Sequence, residues 1–161
     1  MSSARSRVIV AATVVWCCVF AAVHAFWALG GGVGLASSAG AQLATRRPLW
    51  FVLLGLWGTA VLLLAGAGLA GWSAVVASSP RWRRAGTGTI ALVGVVLLVR
   101  AVAVESALLA NVGGVRTAAG PVETRWSLAL WNPWFALGAA LFLALAVQLS
   151  RRYRGEPRTE S

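Results

Sequence analysis

Four long apolar runs dominate the pattern of hydrophobic and polar positions along the chain, and short polar segments separate them. A helix needs about 20 predominantly apolar residues to cross the hydrocarbon core of a bilayer. Three runs reach that length and the fourth comes close to it; they cover residues 8–29, 49–76, 90–110 and 134–150. The pattern predicts an all-α, polytopic membrane protein, a four-transmembrane-helix bundle in which residues 1–161 form a single integral membrane domain.

The segments between the runs are rich in glycine, serine and proline, which predicts loops. They read GGGVGLASSAGAQLATRRP, SSPRWRRAGTGT and NVGGVRTAAGPVETRWSLALWNP. The glycine string at residues 30–34 superficially resembles a dinucleotide-binding loop, but that chemistry requires a strand before the glycines and a helix start after them. Because an apolar helix precedes this string, a flexible exit from the first span is the preferred interpretation.

Composition supports the membrane interpretation and argues against nucleic acid as a partner. Hydrophobic residues make up 59% of the chain and charged residues 11%, whereas a soluble domain carries about 25% charged residues. The formal net charge is +10, yet the arginines cluster at the ends of the apolar runs rather than along one face. The expected partner is therefore the lipid bilayer, with no nucleic acid.

Arginine placement predicts the orientation of the chain. Nine arginines lie in the N-terminal segment, the second polar segment and the C-terminal tail, and four lie in the first and third polar segments. Positive residues accumulate on the cytoplasmic side of a membrane. We therefore expect a multi-pass protein of the cell (plasma) membrane with both termini in the cytoplasm. The pair Arg46–Arg47 does not fit this distribution of charge, because it would lie on the outer side of the membrane.

The first apolar run has a second interpretation, a cleaved signal peptide that ends at the sequence VHA. The run continues past this point to Leu29 without a polar residue, which favours an uncleaved span. Detection of residues before Ala25 in the mature protein would exclude cleavage.

Two neighbouring cysteines, Cys17 and Cys18, lie in the middle of the same run. Adjacent cysteines pair only through a strained ring, and no cluster of further cysteines or histidines provides metal-ligand spacing. We expect no disulfide, no metal and no cofactor here.

Two charged residues interrupt the third run. Arg100 lies ten residues from each end of the run, about 15 Å deep by helical rise, where a charge costs about 2.5–3.5 kcal/mol on insertion scales. Glu105 is the only acidic residue within the predicted spans. The two are separated by about 140° around a helix, so they do not stack as neighbours one turn apart would. We expect each to face another helix and both to line a polar seam inside the bundle.

The only histidine, His24, lies five residues before the end of the first span, as Glu105 does in the third. Both would then lie about 7–8 Å below the outer boundary, and they could meet if helices one and three are neighbours. The predicted polar site therefore contains His24, Arg100 and Glu105, with no catalytic residue assigned. The residues predicted to form its rim are Trp27, Asn111, Trp126, Trp131, Asn132 and Trp134.

Small residues at helical spacing predict where the helices approach each other closely. Ala136, Ala140 and Ala144 form one such stripe on the last helix, and Ala103 with Ala107 forms another on the third. A homo-oligomer in the membrane is also compatible with the sequence.

Three motifs carry a resemblance to a known family: HAFWALGG at residues 24–31, LVRAVAVE at 98–105 and RWSLALWNPWFALG at 125–138. In this order they resemble small bacterial integral membrane proteins of domain-of-unknown-function family 3995, over roughly residues 8 to 150. The resemblance implies a four-helix membrane protein and no particular activity. Members of the family often have Gly-Asp where this chain has Val104 and Glu105.

Three functional hypotheses follow. The leading one is a non-enzymatic membrane protein whose polar intramembrane site binds or moves a small solute or protons. The second is a membrane-embedded enzyme that acts on a lipid-like substrate, with His24 and Glu105 as acid and base. The third is a structural or accessory subunit, whose polar residues only hold the bundle together. The ligand of the site would be a small molecule or a lipid.

Overall fold

A computed structural model describes residues 3–75 and 80–154, and these residues are helical almost throughout. The helices are α1 (Ser3–Ala28), α2 (Leu35–Ala39), α3 (Ala41–Arg46), α4 (Thr59–Val75), α5 (Pro80–Leu109), α6 (Val115–Trp126) and α7 (Asn132–Arg154). A π-helical segment, Phe51–Gly58, leads directly into α4, a second one, Ser127–Trp131, leads into α7, and a 3₁₀ turn, Val112–Gly114, precedes α6. Four of the resulting helices are long and apolar enough to cross a membrane. The predicted fold, an all-α four-helix membrane protein, is confirmed.

The four long helices form a closed ring of neighbours. Helix α1 packs on α4 and α7, and α5 packs on α7 and α4, so that α1 and α5 lie diagonally opposite each other. The ends of α1 and α7 meet, because a guanidinium nitrogen of Arg152 donates a hydrogen bond to the hydroxyl of Ser6. The start of α1 and the end of α7 therefore lie at the same end of the bundle.

Aromatic side chains fill the centre of this ring. Trp16, Phe20 and Phe142 are buried, and the Trp16 ring packs on both phenylalanines with centroids 5.6 and 6.3 Å apart. Large apolar side chains such as Leu54 and Leu62 are instead exposed. An apolar outer surface is what a bundle in lipid requires, since lipid tails are as apolar as leucine.

The prediction of a loop over residues 78–89 was wrong for its larger part. Helix α5 begins at Pro80, so the arginines of this segment lie on its first two turns. Proline suits the first turn of a helix because its missing N–H has no partner there, and arginine is a good helix former. Residues 78–79, like 76 at the end of the second predicted span, lie outside the described residues.

The first and third polar segments were also predicted as loops and instead contain α2, α3 and α6. Helix α2 packs against α3 and α6, and we call these three helices the end layer. Leu35 is fully buried and packs in one apolar cluster with Trp27, Phe51 and Leu56. Burial of this leucine holds the glycine-rich segment against the end of the bundle that lies away from the termini.

Arg47, one of the two arginines that do not fit the charge pattern, has a structural role beside the end layer. Its guanidinium donates hydrogen bonds to the carbonyl oxygens of Trp27, at 3.0 Å, and of Gly31. Its Nε donates to the carbonyl of Ala44 at 3.2 Å. The last carbonyls of a helix have no partner within the helix, so Arg47 caps the C-terminal end of α1.

Replacing Arg47 with alanine should lower the free energy of unfolding by about 1–2 kcal/mol, because half-buried carbonyl oxygens lose charged hydrogen-bond donors. Exposed Arg46 provides a matched control, and its replacement should change stability by less than about 0.5 kcal/mol. Equilibrium unfolding in mixed micelles measures both. Equal effects of the two substitutions would rule out this role of Arg47.

Close helix approach depends on glycines rather than on the predicted alanine stripes. Ala136, Ala140, Ala144 and Ala103 are exposed, so the stripes do not form the contacts between the helices. A Cβ atom at Gly94 of α5 would instead lie 2.8 Å from the Cγ of Leu143 and 3.1 Å from its backbone nitrogen. This close contact of α5 with α7 therefore needs a residue without a side chain.

Candidate functional site

A single asparagine joins the two charged residues of the membrane interior. Asn132 is 2% exposed, and its Oδ1 accepts a hydrogen bond from a guanidinium nitrogen of Arg100 at 3.1 Å. Its Nδ2 donates to the Oε2 of Glu105 at 2.9 Å. Both charged side chains start on α5 and reach the same residue of α7, as the high cost of an isolated charge in lipid requires. We call Arg100, Asn132 and Glu105 the polar bridge.

A phenylalanine completes the surroundings of the arginine. The Cζ atom of Arg100 lies 3.6 Å from the centroid of the Phe135 ring. A guanidinium over an aromatic face gains a cation–π attraction, which is stronger in a desolvated site. Phe135 lies three residues after Asn132 and therefore on the same face of α7.

The local backbone explains how Pro133 can directly follow Asn132 within a continuous helix. It lies at the junction of the π-helical segment and α7, directly before Pro133. Proline lacks an N–H and its ring clashes with the carbonyl four residues earlier. The wider turns of a π-helix accommodate such a residue within a continuous helix, and they occur frequently at functional sites.

A groove of about 310 Å³ between α5 and α7 opens at the polar bridge. Glu105, Asn132 and Ser106 supply its polar lining. Its apolar lining includes Leu98 and Val102, which are 41% and 56% exposed. These exposed apolar side chains lie on the outer surface of the bundle, so the groove faces the lipid. The carboxylate of Glu105 is only half-buried and remains accessible from it.

His24 does not belong to the polar bridge. It lies on α1, diagonally opposite the α5 helix that carries Glu105. Its Nδ1 donates to the carbonyl of Phe20 at 2.9 Å. The expectation that His24 and Glu105 meet depended on helices one and three being neighbours, and the ring order of the bundle corrects it.

Aromatic rings separate the histidine from the polar bridge. The His24 ring lies edge-on to Phe20, with centroids 4.6 Å apart, and Phe20 lies 5.3 Å from Phe135. The guanidinium of Arg100 in turn lies over the ring of Phe135. The three predicted site residues thus belong to one connected region, with an apolar wall between His24 and the two charges.

The residues predicted to form a rim occupy different places. Trp27 is buried, 5.7 Å from the ring of half-buried Trp131, and its Nε1 donates to the carbonyl of Val33 at 2.7 Å. Trp134 stacks on Trp16 in the core, and Trp126 is exposed beside Arg125.

Asn111 and Asn132 were both predicted to belong to the rim, and the structure gives them different roles. The Oδ1 of Asn111 accepts hydrogen bonds from the backbone nitrogens of Arg116 and Thr117, so Asn111 organises the start of α6. Among the predicted rim residues only Asn132 contacts the two charges.

Sequence reasoning missed Ser106 and Phe135. The signal for Ser106 is its position next to Glu105 in an apolar run. The signal for Phe135 is its helical spacing from Asn132, but this identifies a partner for Arg100 only once α5 and α7 are known to be neighbours.

The chemistry available at the polar bridge is that of a carboxylate held by an amide beside a hydroxyl. A carboxylate accepts hydrogen bonds and attracts cations or a proton, and the Ser106 hydroxyl can donate or accept. Within residues 3–75 and 80–154, no group of three or more histidine, cysteine, aspartate or glutamate side chains could hold a metal ion.

Comparison with known proteins gives one match. The family model described as "Protein of unknown function (DUF3995)" matches residues 17–142, which include the polar bridge and His24. No curated protein and no solved structure matches the chain.

Proposed function

The chain belongs to the DUF3995 family, and from this premise we propose that it is a non-enzymatic membrane protein that binds a small solute or a proton at Glu105. The solute would carry a cationic or hydrogen-bond-donating group and would enter through the groove between α5 and α7. The observation that carries the proposal is the hydrogen bond from buried Asn132 to Glu105, because it holds one carboxylate oxygen at the groove.

Each member of the polar bridge has a distinct role in this proposal. Glu105 is the group that contacts the ligand. Asn132 orients the carboxylate and links it to Arg100. Phe135 positions the guanidinium from its other side at 3.6 Å. A charged site in lipid is costly, and such sites usually serve a function.

The volume of the groove limits the ligand. About 310 Å³ is at the lower end of the range for small-molecule sites, roughly 300–1,000 Å³. The groove therefore suits a compact amine or alcohol, or a single proton bound by Glu105, rather than the whole of a membrane lipid. The acid–base pair of the enzyme hypothesis requires contact between His24 and Glu105, which the ring order of the helices does not provide.

Native mass spectrometry of the full chain released from nanodiscs tests the proposal. We expect the wild-type protein to retain a small molecule and Glu105→Gln, which keeps the shape of the side chain, to lose it. Glu123→Gln removes the same charge from the end layer and should leave retention unchanged.

The alternatives predict other results. Equal retention by wild type and Glu105→Gln would contradict a site at Glu105. Normal folding with no retained molecule in any variant would contradict binding of a solute and leave only the proton as a ligand of Glu105 in this proposal.

The orientation with both termini in the cytoplasm is part of the same proposal. Arg47 is bound by the carbonyls at the end of α1, so its place in this segment has a structural reason that is separate from the charge pattern. A reporter that is active only in the cytoplasm, fused after residue 161, should be active; inactivity of a folded fusion would reverse the orientation.

A further inference from the structure

A second and larger cavity lies between α5 and α7, at the end of the bundle that carries the termini. Its volume is about 820 Å³. Two arginines line it, Arg84 near the start of α5 and Arg151 near the end of α7, and both are exposed. The cavity is separate from the polar bridge, and a ligand bound in it is independent of the function proposed for Glu105.

Within residues 3–75 and 80–154, no carboxylate lies near the positive charge of this cavity. Among the residues that the structure describes, the carboxylates are Glu105 and Glu123. Glu105 lies 21 residues after Arg84 on α5, about 31 Å away by helical rise, and Glu123 lies in α6 of the end layer. The two guanidiniums therefore favour an anion, and arginine binds phosphate oxygens through several donors in a fixed geometry.

An unsatisfied hydroxyl points to the same kind of ligand. The Oγ1 of Thr87 is buried and has no hydrogen-bond partner within the described part of the chain, and Thr87 lines the cavity beside Arg84. A buried hydroxyl without a partner is unfavourable. An anion held by the arginines could accept its hydrogen bond. Gly88, also in the lining, leaves open space, since a Cβ atom there would meet nothing within 4 Å.

The deeper part of the cavity is apolar. Ala91, Leu143, Ala146 and Val147 line it. Ala91 lies seven residues after Arg84, and Leu143 lies eight residues before Arg151, so both lie about 10–12 Å further into the bundle. The cavity thus combines a cationic mouth with an apolar floor that runs toward the middle of the membrane.

We propose that this cavity binds an anionic phospholipid, with its phosphate between Arg84 and Arg151 and one acyl chain along the apolar floor. Basic pockets between transmembrane helices are suited to anionic head groups. The Thr87 hydroxyl donates to a phosphate oxygen. Charge complementarity and the apolar floor together select a phospholipid over a free phosphate, although both share the phosphate chemistry.

The test is native mass spectrometry of the full chain with added phosphatidylglycerol or phosphatidylcholine. Wild type should retain phosphatidylglycerol preferentially. The double variant Arg84→Gln, Arg151→Gln should lose about 30-fold in this preference, the contribution expected of two arginines near an anionic lipid. The control Arg116→Gln, Arg125→Gln makes the same charge change on exposed positions of α6 and should keep the preference.

Two further arms keep the proposal falsifiable. Thr87→Val keeps shape and charge, and should weaken phosphatidylglycerol retention several-fold while the thermal midpoint of unfolding is preserved. Millimolar inorganic phosphate should not displace the lipid. Displacement by phosphate, or binding of phosphate alone, would overturn the lipid assignment, and equal lipid preference in the two double variants would overturn the site.

Discussion

Replacing Asn132 with leucine is expected to lower the free energy of unfolding by about 2–3 kcal/mol, because two hydrogen bonds to charged groups are lost at once. The substitution leaves Arg100 and Glu105 half-buried in apolar surroundings without the group that joins them. Breaking a buried charged network at one member is costly for this reason. Equilibrium unfolding in mixed micelles measures the effect.

A charge exchange provides the control for this prediction. Asn132→Asp retains an acceptor for Arg100 but places a second carboxylate against Glu105, so it should also destabilise the protein. Adding Glu105→Gln returns the pair to a single negative charge and supplies a hydrogen-bond donor. The double variant should therefore recover most of the lost stability. Independent, additive effects of the two substitutions would show that the side chains do not interact.

Replacing Gly138 with alanine is expected to cost about 1–3 kcal/mol of unfolding free energy through overpacking. A Cβ atom there would overlap the ring of Trp16 at its Cζ2 atom. Trp16 is 3% exposed, and its Nε1 donates to the carbonyl of Trp134 at 3.1 Å, so its ring cannot move aside without breaking that bond. The contact of α7 with α1 must therefore open.

Gly68 provides a matched control in α4, because a Cβ atom there meets nothing within 4 Å. Gly68→Ala should be neutral or stabilise the protein by up to about 1 kcal/mol, through helix propensity. Shortening Trp16 to phenylalanine should reduce the cost of Gly138→Ala in the double variant. Equal melting temperatures for Gly138→Ala and Gly68→Ala would show that the close approach at Gly138 is absent.

The sequence predicts the four long helices well because length and hydropathy alone determine which segments can cross a bilayer. It also identifies Arg100 and Glu105, since a charge within an apolar run is conspicuous. It cannot show which helices are neighbours. Lipid-facing and buried positions are both apolar, so the usual helical periodicity between polar and apolar faces is absent.

That limitation explains the errors at the candidate site. Equal depth suggested that His24 and Glu105 meet, but depth does not determine the order of helices around a ring. The central role of Asn132 was missed for a related reason, because its position near the end of a span is also compatible with a boundary. The end layer was predicted as loops because its helices are short and glycine-rich, and tertiary contacts such as the packing of Leu35 against Trp27 do not show in the sequence.

Labelling with dicyclohexylcarbodiimide in native membranes tests most directly whether Glu105 is a carboxyl group open to the lipid. The protonated acid adds across a C=N bond of this hydrophobic reagent, and the acyl group then migrates to nitrogen, so the residue gains the mass of one carbodiimide. Peptide mass spectrometry should find the adduct on Glu105 in wild type and less of it on Glu123 of the end layer. An unmodified Glu105, or equal labelling of the two glutamates, would contradict a lipid-facing groove at the polar bridge.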